Sequence, residues 1–149
     1  MLGQPLGDTV KNDTPVREAA LFGIHGGHVN CTDGKYVYMR APANPDNEPL
    51  YEYGLMLSHI RAMFSPDELQ DIQLVEPFSF TKGCRVMRVA GRAWVDAHPY
   101  GNLLFDVDDD PQQESPLDNA EIESTMIDHM TRLMKQHDSP SEQYERLGL

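Results

Sequence analysis

The apolar positions of this chain fall into short runs punctuated by glycine, proline and Asx residues, with one long helical stripe near the end. Ala19 to Ile24 is an apolar run behind a polar lead containing Pro15, and Gly26 and Gly27 follow it, so a short strand closed by a turn is predicted. Val29 and the run Tyr36 to Met39 flank Thr32-Asp33-Gly34-Lys35. Asp-Gly tolerates the positive φ of a tight connection, and this pattern reads as a β-hairpin. Arg40 to Pro49, with three prolines and two asparagines, predicts a loop, and the aromatic-rich Leu50 to Leu57 predicts a further strand.

Ser65-Pro66-Asp67-Glu68 has an N-cap, a proline at the first helical position and a glutamate three residues after the cap, which predicts a short helix from Pro66 to about Ile72. Arg85 to Val89 fits a half-exposed strand and Leu103 to Val107 a stronger one, broken by the acidic loop Asp108-Asp109-Asp110-Pro111. Asp118 and Glu121 form a second capping box, opening a helix to about Gln136. On it Ile122, Met126, Ile127, Met130, Leu133 and Met134 recur at three-to-four spacing and define one apolar face. Ser139-Pro140-Ser141-Glu142 caps a last short helix through Tyr144 and Leu147, stopped by Gly148. Strands come first and the long helix last, without βαβ alternation. The fold class this implies is α+β, a small antiparallel sheet of about four strands packed against the C-terminal amphipathic helix.

Composition narrows the function classes. At 149 residues, 40% apolar and 24% charged, the chain can bury one core. Twelve basic against 24 acidic residues give a formal charge of −12, so phosphate backbones and anionic lipid repel it, and neither nucleic acid nor a membrane is an expected partner. No apolar run approaches the ~20 residues that span a bilayer. The lead Met1 to Val16 is polar and reads as a linker or the remnant of a preceding domain, leaving residues 17–149 as the folded unit.

Four groupings invite a chemical reading. His25-Gly26-Gly27-His28 places two imidazoles around flexible glycines; with no third ligand nearby in sequence, contact with a substrate suits them better than a metal ion. Asp106, Asp108, Asp109 and Asp110 begin like a calcium loop, but Pro111 stands where such a loop needs glycine and Leu117 where it needs a bidentate glutamate, so a solvated acidic turn is expected. Cys84 and Arg88 have the spacing of a nucleophile with an oxyanion-binding arginine, yet no glycine-rich cradle follows, and Cys84 is expected to be a small buried hydrophobe. Met126, Met130 and Met134 belong to the core. Cys31 and Cys84 are too few for a disulfide framework, and no GxSxG elbow occurs.

Read together, Asp33-Gly34-Lys35-Tyr36, then Leu104-Phe105-Asp106-Val107 with Asp110-Pro111, then the amphipathic helix Ile122 to Met134 resemble the C-terminal subdomain of the sulfatases, in the alkaline phosphatase superfamily. Glu142 to Leu147 also resembles the tail of some bacterial members, and the likeness runs from Arg17 onward. The resemblance implies an accessory domain of a sulfuric ester hydrolase, partnered with a catalytic domain that carries the formylglycine nucleophile and the calcium ion. Cys84-Arg85-Val86-Met87-Arg88 has Val86 where the CxPxR motif has proline, and Cys31 is followed by Asp33 and Lys35, so no catalytic or metal residue is carried over and this segment is expected to be inactive alone. In a complete sulfatase the small sheet packs beside the large one, and Gly23 to His28 would lie nearest the cleft, with His25 and His28 on the substrate side. The alternative from another class is a free-standing interaction module that forms a homo-oligomer through its sheet.

Overall fold

The computed structural model describes residues 3–59 and 61–149. Four strands build the larger sheet: β1 (Ala20–Gly23), β2 (Val29–Thr32), β3 (Tyr36–Arg40) and, after a long excursion, β7 (Leu103–Asp106). Their order is β1-β2-β3-β7, and every neighbouring pair is antiparallel. The excursion contains β4 (Tyr51–Gly54), β5 (Gln73–Val75) and β6 (Val86–Ala90), which form a second antiparallel sheet in the order β4-β6-β5. Helices α2 (Ala120–Gln136) and α3 (Ser141–Leu147) close the chain. The expected α+β class holds, with a second sheet where a single one was expected.

The β2–β3 turn forms as its residues dictate. Asp33 Oδ1 accepts the backbone N–H groups of Lys35 at 2.9 Å and Tyr36 at 2.7 Å, and Gly34 takes φ +102°. The resulting register sets Leu21 opposite Cys31, Cys31 opposite Tyr38 and Tyr38 opposite Leu104. Directly opposed residues share a face, so one row of side chains crosses the whole sheet. Onto that row α2 lays Met126 and Met130, both fully buried, with Leu133 and Met134, and Leu147 of α3 completes the cluster. Each such side chain contributes roughly 1.5–3 kcal/mol by leaving water. The methionine stripe is therefore core, as its spacing implied.

Local signals miss in three places. Asn119, and not Asp118, caps α2, its side chain accepting from the N–H groups of Glu121 and Ile122. Helix α3 starts from Pro140 without a side-chain cap. No helix follows Ser65: the capping contacts are present, with Ser65 N–H donating to Glu68 Oε2 at 2.7 Å, but Leu69, Gln70 and Ile72 close only three-residue turns. An isolated helix this short has no packing to hold it, and the chain instead straightens into β5. The polar lead contains α1 (Gly7–Asn12), which buries none of its residues. Among the described residues, no helix is long and apolar enough to cross a membrane.

Candidate functional site

The connection from β1 to β2 carries His25, Gly26, Gly27 and His28, and its shape depends on both glycines. Gly26 sits at φ +73°, and a Cβ there would lie 2.5 Å from Ala93 Cα; a Cβ on Gly27 would lie 2.7 Å from Ile24 Cγ2. The turn thus lies flush against the segment carrying Ala93, and Trp94 N–H donates to the His25 carbonyl at 3.3 Å. Two side chains distant in sequence hold it. Asn47 Nδ2–H donates to Gly26 O at 2.6 Å, while Arg146 Nη1–H donates to Asn47 Oδ1 at 2.8 Å and reaches Gly27 O at 3.4 Å. Asn47 takes φ +58°, a conformation asparagine accepts more readily than most residues.

So held, His25 faces a cleft of about 900 Å³ lined also by Tyr51, Glu52, Tyr53, Ser58, His59, Arg61 and Trp94. Its rings and carboxylates alternate. His25 Nε2 lies 3.8 Å from Glu52 Oε1, His59 Nδ1 lies 3.7 Å from Glu52 Oε2, and His59 Nε2 lies 2.9 Å from Glu68 Oε1. The contact to Glu68 is a hydrogen bond; the two to Glu52 are too long to be direct ones. His25 Nε2 is buried and has no hydrogen-bond partner among the described residues. Ser65, through its backbone N–H first and then its hydroxyl, together with His59, holds the Glu68 carboxyl down to about 2, so Glu68 stays ionised and orients His59. Trp94 stands at the rim, 66% exposed, offering a ring face to a ligand. The cleft can seat a small organic molecule against an aromatic ring, with imidazoles and a guanidinium to bind oxygen atoms and move a proton.

His28 does not line the larger cleft. Its Nε2–H donates to the Gly101 carbonyl at 2.9 Å, and it borders instead a smaller adjoining cleft of about 390 Å³ that His25 shares. Cys84 is exposed, against the burial expected of it, because it precedes β6 and lies outside both sheets. Arg88 is directed to Gln73 and to the Tyr51 ring, 4.4 Å away, and serves the small sheet. In the acidic turn Asp106 is buried rather than solvated: its Oδ1 accepts the N–H groups of Asp108 and Asp109, and Lys35 Nζ lies 3.4 Å from its Oδ2. Among the described residues, no group of three or more His, Cys, Asp or Glu side chains is placed to hold a metal ion.

Glu52, His59, Arg61 and Trp94 were not legible as site residues. Glu52 lies within an aromatic strand, and His59 and Arg61 fall in an irregular stretch with no motif. A lone tryptophan in a loop containing Gly91 and Ala93 was the one available signal. Searches against protein-family models, curated proteins and solved structures give no match for the chain.

Proposed function

We propose that this chain is the C-terminal accessory domain of a sulfatase-type hydrolase, inactive by itself, whose β1–β2 turn borders the pocket of a catalytic domain. The observation that carries the reading is the cleft at that turn. The segment Gly23 to His28, which the sulfatase resemblance assigns to the substrate side, puts His25 beside His59, Arg61 and Trp94 in one open depression. Those groups suit the anionic and organic ends of an ester. Two further features support it: the α+β arrangement of a four-stranded antiparallel sheet under a terminal helix, and exposed apolar residues on the irregular segments, Met56, Met63 and Trp94 among them. Calcium and formylglycine would belong to the catalytic domain. The test is an assay of 4-nitrophenyl sulfate and phosphate hydrolysis by the purified chain with added calcium: no turnover above blank is expected, and turnover would refute the accessory role. In the coding DNA, an in-frame CxPxR stretch upstream of Met1 is expected, and an open frame lacking one would overturn the family assignment.

A free-standing module that pairs through its sheet is the second reading, favoured by the exposure of Phe22 in the edge strand β1 and of Ile24 just after it. Light scattering separates the two. A stable dimer weakened by Phe22→Lys supports the module, and a monomer supports the accessory domain.

A further inference from the structure

Arg146 is 2% exposed, and among the described residues no carboxylate lies within ion-pair distance of it. Its acceptors are neutral: Gln143 Oε1 at 3.0 Å to Nε, and Asn47 Oδ1 and the Gly27 carbonyl to Nη1. Nη2 has no acceptor among the described residues. A buried guanidinium is ordinarily paired, because an uncompensated charge away from water is costly. This one lines the cleft of about 390 Å³ between β1, the start of β4 and α3, whose walls are mostly apolar, Phe22, Ile24, Leu50, Tyr51 and Pro140 among them, with His25, His28 and Gln143 as the polar side chains beside it. The combination of one buried cation and an apolar rim is the complement of a small molecule with one anionic group on an apolar body.

We propose that this cleft binds a small organic carboxylate, its charge received by Arg146 and its apolar body held by Phe22, Ile24 and Tyr51. The site is independent of the sulfatase-type reading, since every residue of it belongs to this chain. A volume of about 390 Å³ has room for a ligand of benzoate size.

The experiment is calorimetric titration of the full chain with benzoate, benzyl alcohol and inorganic sulfate at low ionic strength. Benzoate is expected to bind at least about tenfold more tightly than benzyl alcohol, the difference a charge-assisted hydrogen bond supplies. Equal binding of the two, or none by benzoate, overturns the proposal, as does sulfate binding as tightly as benzoate, which would make the site one for bare oxyanions. Arg146→Gln should weaken benzoate by about ten- to a hundredfold. Since Arg146 also braces the β1–β2 turn, Phe22→Ala provides the second variant: Phe22 is 47% exposed and its removal leaves the core intact. It should weaken benzoate about fivefold without altering the unfolding midpoint of the free protein, and unchanged affinity in this variant overturns the placement.

Discussion

Replacing Asn47 with alanine tests the claim that the candidate site is held by contacts from distant parts of the chain. Three losses follow from the geometry. The Gly26 carbonyl loses its 2.6 Å donor, Arg146 loses its 2.8 Å acceptor, and alanine must occupy the φ of +58° that asparagine tolerates. Asn47 is buried, so water replaces neither bond freely. A hydrogen bond to a charged group is worth about 1.5–3 kcal/mol and an orphaned buried acceptor costs about 1–3 kcal/mol. These overlap, so the expected destabilisation is roughly 3–5 kcal/mol. In a chain this long that lowers the unfolding midpoint by roughly 6–20 °C. Urea and thermal unfolding followed by far-ultraviolet circular dichroism measure it.

Asn47→Gly separates the terms, because glycine accepts positive φ while losing the same two bonds, and it should be less destabilised than the alanine variant. The emission of Trp94, the sole tryptophan, gives a local readout, since its N–H meets the His25 carbonyl. It should shift below the temperature at which the far-ultraviolet signal is lost. A loss under about 1 kcal/mol with unchanged emission would show that the turn holds its shape without Asn47 and would refute the argument.

Met130→Ala opens a cavity where α2 meets the sheet and should cost about 2–5 kcal/mol, read from urea unfolding. At pH 8 a thiol reagent should modify exposed Cys84 rapidly and leave Cys31 intact until unfolding, because burial, and then Asp33, push the Cys31 thiol up to about 11; two fast-reacting thiols would contradict this. The Glu68 carboxyl is held at about 2 against an ordinary 4.5, so the hydrogen bonds of its ionised form are complete above the ordinary value and are lost as pH falls through about 2. Carboxylate chemical shifts in an acid titration should therefore place Glu68 below the other glutamates, and Glu68→Ala, which removes the acceptor, should release His59 from its 2.9 Å contact at neutral pH.

What was legible in the sequence was what neighbours in the chain decide. Asp33 and Gly34 make the hairpin with their own atoms, and Met126, Met130 and Met134 lie on one helical face whatever they pack against. Strand β5 was illegible because three residues carry no periodicity; it exists because Gln73, Leu74 and Val75 find Arg88, Met87 and Val86 in β6. The Ser65 cap shows the converse. Its local chemistry formed as expected, yet nothing packed on the following turn to carry it into a helix.

His25 and His28 show the same division within the site. Two imidazoles flanking a pair of glycines look like partners in one ligand sphere, because glycine imposes nothing and the shortest closure brings the rings together. The conformation is instead decided by Asn47 and Arg146, the latter lying 119 positions from the glycine carbonyl it reaches. Their hold on the two carbonyls presses the turn onto Ala93 and directs His25 to Glu52, while His28 takes the Gly101 carbonyl. His25 thereby lines both clefts, the larger with its charged and aromatic groups and the smaller beside Arg146, whereas His28 lines only the smaller. The same guanidinium that fixes the turn has no carboxylate partner among the described residues, so the shape of the turn and the charge of the smaller cleft rest on one side chain.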